Sequence, residues 1–414
     1  MKEFYADNSQ SSLNTDKNTI DDNTVLSPTP FELDTSCPSV FWASGDDPYS
    51  NTRKAVSNID LSPSKDKRVL LKPNVGRTVQ PETGITTHPQ VVAATIDAFR
   101  ESGADVAVGE SPITGVAALD AFESCGIATV AKSRDCPLID MNVRRYVTVE
   151  IPDGVAIKSL KVCREIAEYD IIVSIPVMKT HMHTGVTLSV KNMKGCLWRR
   201  SKVDLHMLPP LSGHEEKPLD IAIADMSSVL LPHLSIIDGT IGMEGLGPSA
   251  GKPKALGVVL VGVDAFATDS VACDIMGISA HDVPHLRMGA QRGYGIIDLD
   301  SIAVHPRNWK DVRKPFAPPP DELSIEFSGF TILDEQSCSA CQSTLLMLLR
   351  KYGKQLRDTM SVEEDIIIAI GKGHEELPRG TLCVGNCTAK HKNCGVFLSG
   401  CPPVASEILS MFNL

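Results

Sequence analysis

The chain has 414 residues, of which 42% are hydrophobic and 22% charged, and carries a formal net charge of −11. That length exceeds one ordinary hydrophobic core and points to more than one domain. The negative balance excludes a general nucleic-acid binder, which needs a basic face to neutralise phosphates, and no apolar run reaches the roughly 20 residues that span a bilayer.

Residues 1–35 are polar and poor in aromatic side chains. They cannot bury enough apolar surface to offset ordering, so a disordered arm is expected. No signal-peptide core stands at the start, and a cytoplasmic protein is the expectation. In that compartment the twelve cysteines read as thiols or metal ligands rather than disulfides.

From there to residue 308 the pattern predicts an α/β domain. "KRVLLKPNVG", Lys67 to Gly76, is an apolar run ended by proline and glycine, hence a buried strand entering a loop. "HPQVVAATIDAFRESGA" is an amphipathic helix with proline at its start and Gly103 at its stop. "DVAVGESP" is the next strand and loop. This order predicts a parallel or mixed sheet with helices on both faces. "YDIIVSIPVMKTH" reads as a strand running into a loop, and "LSIIDGTIGMEGLGPSAG" as a strand followed by a glycine-rich loop. "ALGVVLVGVDAFATDSVACDIMG" reads as a strand, a loop from Asp264 and a helix that Asp269 caps.

In open α/β sheets ligands bind beyond the carboxyl ends of strands. The candidates there are Lys72, Asn74, Lys179, His181, Asp238 and Asp264, together with the Glu110–Ser111–Pro112 loop. "PVMKTHMHTGVTLSVKNMKG" packs Lys179, His181, His183, Lys191, Asn192 and Lys194 together. Three lysines beside glycines suit an anion such as phosphate or carboxylate. A histidine pair also suits a metal, and a solvated basic loop accounts for the same residues. Neither the P-loop nor the dinucleotide fingerprint occurs, and no nucleophile-elbow or zincin motif points to a hydrolase.

"WKDVRKPFAPPPDELS" opens a proline-rich linker over 309–322. Residues 323–414 form a smaller α/β unit that holds half of the cysteines. Cys338 and Cys341 make a C-x-x-C pair, Cys387 follows "VGN", and Cys401 sits in "GCPP". Four such thiolates suit an iron–sulfur cluster or a tetrahedral zinc. Cys383 and Cys394 are alternates in the same unit, and a thiol redox centre is a further reading. Cysteine followed by proline favours iron and sulfide over zinc. The scattered Cys37, Cys125, Cys136, Cys163, Cys196 and Cys273 are expected to be buried small hydrophobes.

The runs "VLLKPNVG", "VVAATIDAFRESGADVAVGESP", "IPVMKTHMHTGVTLSVKNMKG", "IIDGTIGMEGLGPSAGKP" and "GVDAFATDSVACDIMG" resemble the domain-of-unknown-function family 362 over about residues 65–305. Members are often iron–sulfur proteins of anaerobes, so the resemblance implies a cluster. This chain lacks the ferredoxin-like C-x-x-C-x-x-C-x-x-x-C-P run. Its tail resembles the family's other ending, which maps onto Cys338, Cys341, Cys387 and Cys401.

The expectation is an iron–sulfur redox protein with a single 4Fe–4S cluster. It would pass electrons to an anionic substrate, cofactor or protein partner. His181 and Lys179 would be the catalytic pair, and Lys72, Asn74, Lys191, Asn192, Lys194, Asp238 and Asp264 the binding set. The alternative is a non-redox metabolite-binding protein or enzyme with a structural zinc knot. Neither nucleic acid nor membrane is expected as a partner, and a homodimer is compatible with the sequence.

Overall fold

The computed structural model describes residues 26–319, 327–360, 365–403 and 408–409. Most of the expected disordered arm and the last three linker residues, 320–322, fall outside them. Two compact units divide the chain: residues 1–244 with 252–317, and residues 245–251 with 318–414.

In the larger unit the elements run β1 (Ser39–Ser44), α1 (Pro48–Val56), β2 (Arg68–Pro73), α2 (Pro89–Glu101), β3 (Asp105–Glu110), α3 (Ala118–Ser124), α4 (Ile127–Lys132) and β4 (Leu138–Asp140). Next come β5 (Val147–Glu150), β6 (Ser159–Val162), α5 (Arg164–Glu168), β7 (Ile171–Ile175), β8 (Val177–His181), β9 (Gly185–Thr187), α6 (Ser189–Asn192), α7 (Ser201–Asp204) and α8 (Pro218–Met226). The last are β10 (Leu234–Glu244), β11 (Lys252–Gly262), α9 (Ala265–Ile275), α10 (Pro284–Gln291) and β12 (Ala303–His305).

A ten-stranded sheet has the order β12-β1-β11-β10-β7-β2-β3-β4, with β8 and β9 branching from β10. β10, β7, β2, β3 and β4 run parallel, and β11 is antiparallel to β10 and β1. The sheet is therefore mixed α/β, as the strand–helix order predicts. Alternation along the strands feeds both faces. Val69 and Leu71 pack with Val91, Ile96 and Phe99 of α2, while Leu70 joins the cluster that includes Ala222 of α8, Val271 of α9 and Leu286 of α10.

Three local expectations change. The run after Ile175 is a second strand, because Pro176 interrupts the ladder and β8 then pairs with β9 and β10. The run after Asp238 is also strand rather than loop, since β10 continues to Glu244. Its glycines serve close packing. A Cβ on Gly239 would stand 2.6 Å from Val258, and one on Gly242 would stand 2.5 Å from the Met178 carbonyl oxygen. Finally, Asp264 rather than Asp269 caps α9, accepting from the Ala267 amide at 2.9 Å. Asp269 lies inside the helix, buried, and reaches across to α6.

Phe31 is buried against Phe99, and Trp309 and Phe316 are buried in the core. Among the scattered cysteines, Cys125, Cys136, Cys163, Cys196 and Cys273 are buried as expected; Cys37 is exposed.

The smaller unit carries β13 (Phe330–Asp334), α11 (Ser339–Met360), β14 (Ile366–Ile370), β15 (Leu382–Val384) and β16 (Phe397–Leu398). The four strands form an all-parallel sheet in that order. Leu345, Leu349 and Leu356 of α11 repeat at helical spacing and are buried. The expected final helix lies outside the described residues except for Ile408 and Leu409.

Candidate functional site

The larger unit reverses its winding between β2 and β7. From β2 the chain moves outward through β3 to β4; β7 lies on the other side of β2, followed by β10. Such a switch point opens a crevice at the carboxyl ends of the strands. Lys72 ends β2, Glu110 ends β3, and β8 follows β7 with Lys179 and His181. The short helix α6 adds Lys191 and Asn192.

The buried ammonium of Lys72 donates to the Pro73 carbonyl at 2.9 Å, to Glu110 Oε2 at 3.0 Å and to Asn192 Oδ1 at 3.1 Å. Its three protons are all engaged. Glu110 is equally committed, accepting from the Ser111 and Val75 amides. Asn192 donates to the Lys72 carbonyl and to Ser174 Oγ, and its oxygen also accepts from Asn74 Nδ2 at 3.2 Å. Asn74 in turn accepts from Lys179 Nζ at 2.7 Å, and Lys179 also donates to the Ile85 carbonyl. Lys72 and Lys179 are thus bridged by two asparagines. Gly195 closes the back of the cluster: a Cβ there would stand 2.6 Å from the Lys72 ammonium.

Further cations surround this network. Burial pushes the Lys179 ammonium well below its ordinary range, and Lys191, Arg77 and Lys72 add to the effect against Glu110. Burial lowers Arg77 to about 10 and Lys191 to about 7, with Asp220 opposing the latter. Lys191 is partly accessible and makes no hydrogen bond to a described residue. His181 and His206 are held neutral, by burial first and by neighbouring cations second. His181 Nδ1 accepts from the His183 amide at 3.1 Å, which leaves Nε2 as the proton-bearing nitrogen. Lys194 donates to His206 Nε2 at 2.6 Å.

Of the candidates read from sequence, Lys72, Asn74, Lys179, His181, Lys191, Asn192 and Lys194 come together. Asp238 stands beside them with both oxygens occupied by the His88 and Thr240 amides. Asp264 does not join. It follows Gly262, which pairs with Ser235, whereas Lys179 pairs with Met243. Eight residues of extended chain, roughly 26 Å, separate those positions. Asp264 instead helps line a separate cavity of about 230 Å³ with His233 and Tyr294. Arg77, His206 and Asp220 escape sequence reasoning, and Glu110, read there only as part of a strand-end loop, proves to be the partner of Lys72.

In the smaller unit the cysteines rise from the carboxyl ends of three parallel strands. Cys338 follows β13 and Cys341 opens α11; Cys387 follows β15 and Cys401 follows β16. The Asn386 amide donates to the Gly400 carbonyl at 2.9 Å, and the Gly400 amide donates to Asn386 Oδ1 at 2.8 Å. That reciprocal pair locks the Cys387 and Cys401 loops together. Gly385, at φ +92°, leaves 3.4 Å between its Cβ position and Cys341 Sγ, so a side chain would crowd the sulfur. The Cys341 thiol is pushed far up, first by its hydrogen bond with Cys338, then by burial, then by Cys338, Cys401 and Cys387 as charges. Cys387 is raised by burial and then by Cys338 and Cys401. These four thiols are mutual neighbours. Cys383 instead donates to the His391 carbonyl and feels Cys394. Among the described residues no three histidine, cysteine or carboxylate groups already stand in metal-binding geometry. The donor chemistry nevertheless fits a thiolate-held centre, because a metal displaces the protons that the neighbouring thiols make harder to lose.

Residues 69–274 match the family model described as a domain of unknown function, DUF362. The thylakoid-associated protein sll1697 of a Synechocystis species is 31% identical over 252 residues, covering 59% of this chain and 75% of that protein. The chain belongs to the DUF362 family. The span matched to DUF362 contains the whole lysine–asparagine cluster, whereas the cysteine quartet lies beyond it. Among the described residues of this DUF362 protein no helix is long and apolar enough to cross a membrane.

Proposed function

We propose that this DUF362 protein is a cytoplasmic iron–sulfur redox protein whose larger unit binds a small anion. The observation that carries the redox reading is the convergence of Cys338, Cys341, Cys387 and Cys401 at one end of a parallel sheet, pinned by the Asn386–Gly400 pair. A 4Fe–4S cluster on those thiolates would supply one-electron transfer to a protein partner or to the bound anion. The residues of the chain set its surroundings: Cys338 and Cys341 are buried, Cys387 and Cys401 are partly exposed, and that difference in solvation tunes potential. Lys179 and Lys191 would hold the anion's charge, with His181 Nε2–H donating the proton a reduced ligand requires.

Iron, sulfide and zinc analysis of anaerobically purified protein tests this, with EPR spectra before and after dithionite. About four irons and four sulfides per chain, with a signal on reduction, are expected. Cys401→Ser should lose most of that iron. Stoichiometric zinc with a silent spectrum would instead support the structural-knot alternative, and full iron in Cys401→Ser would shift the fourth ligand to Cys383 or Cys394.

A further inference from the structure

We propose that residues 26–34 strap the amino-terminal end of the larger sheet and that protonation of His233 releases the strap. This latch lies at the starts of β7 and β10, the opposite end of the strands from the crevice, and uses none of the crevice residues.

His233 immediately precedes β10, and its backbone is tied to β7, because its amide donates to the Ile172 carbonyl at 2.9 Å. The ring is buried and held from both sides. Nδ1 accepts from the Ile172 amide at 2.8 Å, so it carries no proton. The single proton sits on Nε2 and goes to the Ser27 carbonyl at 3.0 Å, with Ser27 Oγ at 3.5 Å. The His233 carbonyl in turn accepts from Thr29 Oγ1 at 2.9 Å. Both of these polar pins of the strap therefore end on one residue. A third hold is apolar: Phe31 is buried edge-on against Phe99, with ring centroids 6.3 Å apart. Between the pins the strap is not close-packed. Leu26, Ser27, Thr29 and Leu33 line a cavity of about 230 Å³ together with His233 and Tyr294. Side chains that face a void forfeit dispersion contacts, which leaves more of the hold to the pins.

A second proton on the ring must go to Nδ1, where it would meet the Ile172 N–H head-on. The closed site therefore fits neutral imidazole alone. Burial also holds the group below its ordinary range, with the Ser27 carbonyl opposing. The carboxylates on the surrounding elements are already committed. Asp264, on the same cavity, accepts from the Ala267 and Ile296 amides. Asp170, ahead of β7, accepts from the Arg68 amide, and Asp225 of α8 pairs with Arg292. Glu32 and Asp34 of the strap are exposed to water, and Tyr294 is neutral in this pH range. Once the strap lifts, the ring titrates as a free histidine near pH 6.5. The open form then binds the proton that the closed form refuses, so closure holds above about pH 6.5 and weakens as pH falls below it. Opening brings Leu26, Leu33, Val229, Leu231 and Val263 to water.

Hydrogen exchange on the full chain at pH 7.5 and pH 5.5, corrected for the intrinsic exchange rate at each, reads the opening. The reporters are the Phe31 amide, held by Thr29 Oγ1, and the Ile172 amide, held by the ring. Both should lose about tenfold in protection at pH 5.5, while the amides of β2 and β3 keep theirs. His233→Gln places a neutral amide there, which accepts and donates but does not titrate. It should abolish the step, whatever its protection at pH 7.5. Thr29→Val removes one pin and leaves the ring, so the Ile172 amide should be less protected at both pH values and keep the step, which answers the case in which His233→Gln does not fold. Equal protection of the two reporters at both pH values, a loss shared by β2 and β3, or a step that persists in His233→Gln would overturn the proposal. Neither metal content nor anion binding enters this readout, so failure of the redox reading or of the anion site would leave the latch as it is.

Discussion

Lys72 shows how a residue chosen for one role takes another. Its place at a strand end reads as an anion ligand, yet its three protons already go to Glu110, Asn192 and its own strand's end. Removing it strands a carboxylate that is 2% exposed. Lys72→Met should therefore destabilise the larger unit by about 3–5 kcal/mol. Lys72→Met with Glu110→Gln should be less unstable than the two single changes added together. A double-mutant cycle by denaturant titration measures the coupling, and additivity within about 0.5 kcal/mol would refute the pairing. The sequence could place Lys72 at the crevice; it could not show that a partner 38 positions on would use up its donors.

At the level of elements, α6 is only four residues long and cannot stand by itself. Asp269 holds it, accepting from the Ser189 amide at 2.7 Å and the Val190 amide at 2.9 Å. A carboxylate in the middle of α9 thus caps a helix eighty residues earlier. Asp269→Ala should cost on the order of 2 kcal/mol and weaken binding of a small anion such as phosphate as well, because α6 carries Lys191 and Asn192. Unchanged phosphate affinity in a folded Asp269→Ala protein would show that α6 keeps its place without the cap. Period and punctuation in the sequence reveal the alternating strands and helices, the crevice and the cysteine quartet. They do not reveal Asp269's cross-chain cap, or that Gly239 and Gly242 serve strand packing, since both depend on segments distant in sequence.

For the whole molecule, Glu165 sets a pH dependence of stability. Among the described residues neither of its carboxylate oxygens has a hydrogen-bond partner, Arg144 stands 3.9 Å away, and burial raises the group to about 7. An acid whose folded value lies above its unfolded one imposes no penalty at low pH. Stability is lost as pH rises from about 4.5 to 7 and then levels off. Glu165→Gln should match the unaltered protein at pH 4 and exceed it at pH 8 by up to about 3 kcal/mol. Equal unfolding midpoints at pH 8 would contradict that. At the same scale the boundary near residue 309 is only partly legible: Trp309 and Phe316 belong to the larger core, and residues 245–251 group with the smaller unit. Composition marks prolines; it does not mark which apolar side chains bridge them.

The sheet order also sets a timetable for synthesis. β1 lies between β12 and β11, and its partners in β11 are Val258 to Gly262. More than two hundred residues must leave the ribosome after Ser44 before that neighbour exists. At about 5–20 residues per second this is a wait on the order of ten to forty seconds. Through that interval "SVFWAS" is an apolar strand with both edges open. The nascent chain is thus exposed to mispairing longest at β1, and holding chaperones would meet it there.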